Sequence, residues 1–334
     1  MPSVEVVGSG VTGLTAAFVL AERGFSVRLI TASQGPDRDC CSWWAGGMLS
    51  LECELEAAEP LIGTLGRESL AFWREHVDVI LAGSLVVAPR RDQADLDRFA
   101  RLTGGWTCVE GDRLAALEPD LGGRFRRGLF YESEGHLDPR RALHSLWEQL
   151  RAKGATLEPG RHLSGTDLQA APKADWRIDC RGLAARDALP DLRGVKGEML
   201  ILRSKDIHLA RPVRLLHPRF PLYIVPREED LFMVGATTIE TEDRSHIAAR
   251  SLVELLSSAY ALHPALGEAQ VVEIGVDARP AFPDNLPRIR HAGRTLFING
   301  SYRHGFLVSP ALARRAAEWL LHGNCDPEVM DARR

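Results

Sequence analysis

Cysteine is scarce in this sequence, and the spacing of the cysteines argues against both a disulfide framework and a zinc site. The 334 residues include six cysteines, which show neither the framework of a disulfide-stapled domain nor the paired spacing of a zinc site. No apolar run reaches the roughly 18 residues that a membrane-spanning helix needs. A regular pattern begins at Val4 without a basic region before it, so we expect no signal peptide. These absences predict a soluble, reduced, cytoplasmic protein without a metal site.

The charge composition excludes a further class of protein. The formal net charge is −4 at pH 7, without a long run of lysine or arginine, which argues against a surface that binds nucleic acid. Hydrophobic residues make up 45% and charged residues 26% of the chain, a balance that can bury a substantial core and excludes a disordered chain. The length allows two domains or one large one.

The amino-terminal segment carries the most informative pattern. An apolar strand at 4–7 leads into Gly8, Gly10 and Gly13, then into a helical pattern and a second apolar strand at 25–30. Gly8 would permit a tight turn, Gly10 a close backbone approach to a pyrophosphate, and Gly13 close packing of helix on strand. The helix would point its first N–H groups at the diphosphate. This context predicts a bound dinucleotide, and the alternative is a structural glycine turn.

One position departs from the dinucleotide pattern. The acidic residue expected at the end of the second strand is replaced by Thr31. A threonine hydroxyl can bond a ribose, although less strongly than a carboxylate does, and Ser33 or Gln34 would assist. The glycines alone do not separate NAD from FAD.

Further motifs narrow the choice. Residues 41–49 read C-S-W-W-A-G-G-M-L and residues 302–310 read Y-R-H-G-F-L-V-S-P. They resemble the S-W-x-A-G-G-M-L and R-N-G-x-L-L-A-P segments of the FAD-dependent amino acid oxidases of the D-amino acid oxidase superfamily, and above all its glycine oxidase branch associated with thiamine biosynthesis. Four segments between them match in the same order, at 194–198, 223–227, 234–237 and 279–287. The resemblance therefore covers essentially the whole chain.

The resemblance implies an α/β fold in two parts. One is an FAD-binding, Rossmann-like domain of the D-amino acid oxidase and glutathione reductase type, and the other is a smaller substrate domain with a largely antiparallel sheet. The chain is expected to leave the FAD-binding domain twice and to return twice. The FAD-binding domain would comprise 1–80, 136–196 and 276–334, and the substrate domain 81–135 and 197–275.

The resemblance also implies noncovalent FAD, because no cysteine matches the covalent attachment of related sarcosine oxidases. The small residues at 45–47 suit a loop against a flat ring, which in the family lies beside the isoalloxazine. Ser309 and Pro310 predict the start of a helix that ends near Gly323, so residues 304–308 would present backbone N–H groups to the flavin edge. The cofactor-binding candidates are Gly8, Gly10, Gly13, Thr31, Ser42, Ala45, Gly46, Gly47, Met48, Gly182, Arg279, Arg303, His304, Gly305, Phe306 and Leu307.

A carboxylate substrate calls for an arginine, whose planar fork can donate two parallel hydrogen bonds. Arg303 matches the family's carboxylate-binding arginine, and Tyr223 matches the tyrosine that is its second partner; these two are the catalytic candidates. A core sheet residue is the alternative for Tyr223. Arg279 precedes a proline, and a turn is slightly favoured there over a substrate contact. Thr238 would shorten the pocket wall and admit slightly larger or polar amines, and His304 is expected to be a loop residue rather than a base.

The function implied by the resemblance is oxidative deamination of glycine, with sarcosine or small D-amino acids as further substrates. A hydride would pass from the α carbon to FAD N5, and O2 would reoxidise the cofactor, giving imine or glyoxylate, ammonia and hydrogen peroxide. The branch further implies a role in thiazole formation for thiamine biosynthesis. A homo-oligomer and a hand-off to thiazole synthase stay open, and neither nucleic acid nor membrane is an expected partner. The alternatives are a quinone-linked D-amino acid dehydrogenase and a catalytically silent FAD-binding subunit.

Overall fold

The computed structural model of the protein describes residues 1–163, 165–217 and 221–332. Its helices are α1 (Val11–Glu22), α2 (Pro60–His76), α3 (Gln93–Leu102), α4 (Gly111–Leu117), α5 (Pro139–Ala152), α6 (Gly165–Gln169), α7 (Ala249–Leu262) and α8 (Gly305–His322). Its strands are β1 (Ser3–Val7), β2 (Ser26–Ile30), β3 (Met48–Leu49), β4 (Ser84–Val87), β5 (Thr107–Glu110), β6 (Arg127–Tyr131), β7 (Gly135–His136), β8 (Thr156–Glu158), β9 (Trp176–Asp179), β10 (Arg193–Arg203), β11 (Val213–Leu215), β12 (Leu222–Pro226), β13 (Leu231–Gly235), β14 (Gln270–Ala281), β15 (Arg288–Ala292), β16 (Thr295–Asn299) and β17 (Met330–Ala332). No helix in these ranges has both the length and the apolar character needed to cross a membrane.

The first sheet has the order β17-β15-β16-β9-β1-β2-β8. Strands β8, β2, β1, β9 and β16 run parallel, and β15 is antiparallel to β16. Both β1 and α1 are almost wholly buried, as expected of a parallel sheet that is covered by helices. One apolar cluster joins this sheet to α1, α2, α5 and α8. The predicted amino-terminal strand, glycine turn, helix and strand are thus confirmed.

The second sheet has the order β14-β10-β13-β12-β11-β4-β6-β5 and is antiparallel except between β11 and β4. The largely antiparallel sheet predicted for the second part is therefore confirmed. The predicted divisions after 196 and after 275 fall inside β10 and β14, which pair with each other along almost their whole length. A boundary drawn from composition cannot detect this, because Gly197 and Gly275 stand at those points and a glycine inside a strand resembles a turn signal in the sequence. The division of the chain into two discontinuous domains stays a prediction.

Helix α8 begins at Gly305, five residues before the predicted first helical residue Pro310, which lies inside it. The predicted start was wrong because Ser309 and Pro310 form a helix-start signal that can also occur within a helix if other groups replace the lost backbone bond. The predicted end is confirmed, since Gly323 adopts a left-handed conformation with φ of 72° directly after the helix.

Side chains of α2 replace the hydrogen bonding that proline disturbs. Pro310 has no N–H for the carbonyl of Phe306, and the indole of Trp73 donates to that carbonyl over 2.6 Å instead. The next N–H, of Ala311, donates to the Ser69 hydroxyl over 3.1 Å. The first two turns of α8 are therefore held in place by hydrogen bonds with α2.

Candidate active site

A cavity of about 370 Å3 opens where the parallel strands of the first sheet end. Val7, Ile30, Cys180 and Asn299 line it from the carboxyl ends of β1, β2, β9 and β16 or directly after them. Ligands of open α/β sheets bind at this edge. The described lining includes the candidates Gly8, Gly10, Thr31, Ser42, Gly182 and Gly305.

The glycine turn is tight enough to require glycine at two positions. Gly8 has φ of +109°, and a Cβ there would stand 2.7 Å from the Cys180 carbonyl oxygen. A Cβ on Gly13 would stand 1.9 Å from the Gly8 carbonyl oxygen. Gly13 is not among the lining residues, so it acts by letting α1 approach the turn. At Gly8 and Gly10 the turn therefore presents backbone without a side chain at the cavity wall.

Hydroxyl groups surround the start of α1 and the end of β2. The Ser42 hydroxyl accepts from the backbone N–H of Val11 over 3.0 Å. The Thr31 hydroxyl lies 2.7 Å from that of Ser9 and 3.2 Å from that of Ser33. Thr31 is buried and lines the cavity, so its hydroxyl stands where the pattern normally has a carboxylate.

A second cavity of about 100 Å3 adjoins the first. Cys41, Ser42, Asp277, Tyr302 and Gly305 line both. The structure brings the remaining predicted residues together in this second cavity: Ala45, Gly46, Gly47, Met48, Tyr223, Arg279, Arg303, His304, Phe306 and Leu307. Segments that are far apart in sequence thus meet around one small space.

The second sheet forms one wall of this small cavity. Arg214 pairs with Tyr223 across β11 and β12, and Tyr223 pairs with Gly235 across β12 and β13. A Cβ on Gly197 would lie 2.3 Å from an Arg279 guanidinium nitrogen. Arg279 therefore crosses the neighbouring strand at a position that only glycine leaves free.

Arg279 is a partly buried cation without a carboxylate partner among the described residues. Its guanidinium donates to the Thr237 carbonyl over 3.2 Å and to the Lys196 carbonyl over 3.5 Å. No carboxylate in the described part of the chain lies within ion-pair distance of it, and burial lowers its pKa. The slight preference for a turn at Arg279 was wrong, because Arg279 and Pro280 lie in β14. This is an edge strand, where a proline is tolerated.

Arg303 is less isolated. Its Nη2 lies 3.8 Å from Oε2 of Glu54, and Oε1 of Glu54 lies 2.5 Å from Nη2 of Arg214. Burial alone would raise the pKa of Glu54, but the guanidiniums of Arg214 and Arg303 outweigh it and hold that pKa well below its ordinary value. Glu54 is thus an ionised carboxylate in the wall of the small cavity.

His304 immediately precedes α8, and its Nδ1 lies 3.5 Å from Oε2 of Glu54. Burial lowers the pKa of His304 to about 4 despite that carboxylate, so the ring is neutral at neutral pH. The expected effect of Thr238 on the pocket wall was wrong: Thr238 is exposed and lies outside the lining, and Ala236 lines the cavity instead. The chain turns away from the cavity after Ala236.

Sequence reasoning missed Glu54 and Arg214. Glu54 lies in a short 3-10 turn, Cys53–Glu56, between two other acidic residues, and such a cluster is typical of a solvated surface. Arg214 lies in a three-residue strand. Neither position has a spacing signal, because their meeting depends on the fold of distant segments.

Comparisons with known proteins agree over the whole chain. Residues 3–319 match the family model DAO, described as FAD dependent oxidoreductase. A protein of Rhizobium etli, provisionally named thiamine biosynthesis oxidoreductase ThiO, is 50% identical over 327 residues, covering 97% of this chain and 98% of that one. The glycine oxidase of Pseudomonas putida is 27% identical over 343 residues, covering 92% and 91%. The crystal structure of glycine oxidase from Geobacillus kaustophilus superposes with a TM-score of 0.78 at 21% identity, covering 95% and 94%, a likeness of fold.

Proposed function

The chain belongs to the FAD-dependent oxidoreductase family and is an FAD-dependent amino acid oxidase, and on that premise we propose that its substrate is glycine. The products would be the imine or glyoxylate, ammonia and hydrogen peroxide. The names of the relatives in Rhizobium etli and Pseudomonas putida support this substrate and a role in thiamine biosynthesis. The observation that carries the proposal is that Arg279 and Tyr223 both line a cavity of about 100 Å3.

The residues present fit FAD. The larger cavity has a glycine turn where a Cβ would collide with backbone, the start of α1, and the Thr31 hydroxyl chain, which suit a diphosphate and a ribose. When bound, FAD would supply the acceptor for a hydride from the α carbon of the substrate, with O2 as the final oxidant. Noncovalent attachment is supported by the thiols that line the cavities, because burial raises the pKa of Cys40 to about 11 and that of Cys41 further, leaving both as weak nucleophiles.

The start of α8 would serve the flavin edge. Its first intrahelical bond is donated by Val308 to the His304 carbonyl, so the N–H groups of Gly305, Phe306 and Leu307 precede it. Together with the positive end of the helix dipole, these groups favour a negative charge beside them. The early helix start at Gly305 thus strengthens the role predicted for this segment.

The substrate carboxylate would be held by Arg279 and Tyr223. A partly buried guanidinium that lacks a carboxylate partner is destabilised by burial, and an anionic ligand relieves that penalty. Arg303 already has Glu54 at 3.8 Å, so we assign it to the outer side of the same carboxylate. The cavity walls would orient the α carbon of the substrate.

The proposal is tested with the purified holoenzyme and a panel of glycine, sarcosine, D-alanine and D-proline, with hydrogen peroxide measured in air. Peroxide release that is fastest with glycine is the expected result. Reduction by an amine without peroxide, reversed by a quinone, would favour the dehydrogenase alternative. Release that is equally slow with all four amines would contradict the assignment of glycine. A cytoplasmic location, a homo-oligomer and a hand-off to thiazole synthase stay predictions from the sequence.

A further inference from the structure

Two carboxylates, those of Glu54 and Asp277, are among the described residues that line the small cavity. They differ in how many of their oxygens already accept a hydrogen bond. Both oxygens of Asp277 accept from the Arg244 guanidinium, over 2.5 and 3.2 Å. Among the hydrogen bonds of the described residues, Glu54 has only its Oε1 in such a bond, with Arg214. Its Oε2 faces His304 Nδ1 at 3.5 Å and Arg303 Nη2 at 3.8 Å, and neither contact is a close hydrogen bond.

The position of Glu54 is fixed by the second sheet. Its partner Arg214 is the cross-strand neighbour of Tyr223, so Glu54 is held by the strand pair that also carries the tyrosine that we assign to the substrate. Glu54 is 11% exposed at its side chain and lies in the cavity lining. A buried carboxylate oxygen with spare acceptor capacity therefore stands in the same space as Arg279.

An amino acid brings two charged groups into this space. The cations Arg279 and Arg303 can serve only its carboxylate, because guanidinium groups donate and cannot accept hydrogen bonds. The amino group needs an acceptor, and a buried donor without one carries a penalty. The spare oxygen of Glu54 meets that need.

We propose that Oε2 of Glu54 accepts an N–H of the substrate's amino group, so that Glu54 positions the amine while Arg279 and Tyr223 hold the carboxylate. The inference rests on the proposed function and extends it from the carboxylate to the amine. It makes Glu54 a determinant of specificity: carboxylic acids without an amine would bind without using it.

The charge of Glu54 also affects the substrate's ionisation. Hydride transfer needs the neutral amine, and a carboxylate beside the ammonium form raises the pKa of that amine. The groups that face Glu54 are Arg214 from β11 and Arg303 and His304 before α8, with Arg279, Tyr223 and Tyr302 elsewhere in the lining. Because Glu54 itself stays ionised, the group that titrates in the active pH range is the bound amine.

The first test compares ligands with and without an amine in the holoenzyme and in Glu54→Gln. We expect the apparent dissociation constant of glycine to rise about tenfold or more, because the amino group of glycine loses a charged hydrogen-bond acceptor. The inhibition constant of acetate should change less than threefold, since acetate has no amino group. Glu56→Gln is the matched control, since Glu56 lies two residues further along the same turn, pairs with Arg98 and is outside the lining. An equal loss for glycine and acetate would overturn the inference.

The second test is the pH profile of kcat, which reports the bound complex. In Glu54→Gln the acid limb should move to lower pH by about one unit, whereas the profile of the Glu56→Gln enzyme should stay in place. An unmoved acid limb would contradict the inference. If Glu54→Gln does not fold because Arg214 loses its partner, Glu54→Asp keeps that charge and withdraws the carboxylate from the cavity. The same selective loss for glycine is then expected.

The two proposals fail in different ways. If no amine in the panel reduces the flavin of the unchanged enzyme, the proposed function is wrong. If the unchanged enzyme oxidises glycine but Glu54→Gln or Glu54→Asp weakens glycine and acetate alike, only the role of Glu54 is wrong.

Discussion

The indole N–H of Trp73 donates to the Phe306 carbonyl over 2.6 Å, at the place where Pro310 leaves α8 without its own donor. Phe306 also lines the small cavity. The contact therefore links the packing of α2 on α8 to the geometry of the site. A proline in the first turns of α8 is stable here because another helix supplies the missing bond.

Replacing Trp73 with Phe should lower the free energy of unfolding by about 1–3 kcal/mol, because the buried Phe306 carbonyl would lose its donor. Urea denaturation of the holoenzyme measures the change. Trp106→Phe is the matched control, since Trp106 is on the surface and its indole donates to the Ala100 carbonyl in the last turn of α3. We expect a change of about 0.5 kcal/mol or less there. Equal effects of the two substitutions would refute the account of Pro310.

Much of this fold could be predicted from local patterns. The glycine turn, the apolar strands and the glycine that ends α8, Gly323, each depend on only a few neighbouring residues. The start of α8 could not be predicted in this way, since Ser309 and Pro310 give a strong local signal that Trp73 and Ser69 override from another helix. For the site, the motifs identified residues that the structure brings together.

What the motifs could not supply was charge balance. The sequence does not show which of its arginines has a carboxylate neighbour. In the structure, Arg303 lies near Glu54, whereas Arg279 lacks a carboxylate neighbour in the described ranges. Glu54 itself was missed because its partners come from β11 and from the residues before α8. Electrostatic partners from distant segments are not encoded in local spacing.

Replacing Arg279 with Met should raise KM for glycine by a hundredfold or more, since loss of a charged hydrogen-bond partner in a buried site costs about 3 kcal/mol. The free energy of unfolding should stay unchanged or rise, because the substitution removes a partly buried cation that has no ion pair among the described residues. Steady-state kinetics and urea denaturation measure the two. The exposed Arg113→Met serves as the control. A large loss of stability with unchanged KM would show that Arg279 is structural.

Replacing Gly13 with Ala should release FAD, because the new methyl group would stand 1.9 Å from the Gly8 carbonyl oxygen and push α1 away from the turn. Flavin absorbance after gel filtration measures the bound fraction. Gly104→Ala is the control, since the nearest atom to its Cβ would be 3.9 Å away. If the Gly13→Ala protein keeps a full complement of FAD, the turn does not hold the diphosphate as proposed.

The free energy of unfolding should fall between pH 7 and pH 5, because His136 is buried in its neutral form. Burial lowers its pKa to about 4, below the ordinary value of about 6.5, so the unfolded chain binds a proton that the folded one does not. The contribution is fully present above pH 6.5 and is lost as pH falls towards 4, amounting to about 2 kcal/mol by pH 5. Between pH 7 and pH 5, in saturating FAD, the free energy of unfolding of His136→Phe should fall by about 2 kcal/mol less than that of the unchanged protein.

The exposed His322→Gln is the control for that measurement, since His322 is 58% exposed at its side chain. It should leave the pH dependence unchanged. If His136→Phe and the unchanged protein lose stability in parallel between pH 7 and pH 5, His136 is not the group responsible.

The most direct test of the central assignment is anaerobic addition of glycine to the purified holoenzyme while the visible absorbance of the flavin is followed. A glycine-oxidising enzyme should bleach completely, and the colour should return with hydrogen peroxide when air is admitted. Persistent yellow colour with glycine, in a preparation that dithionite still bleaches, would contradict the account.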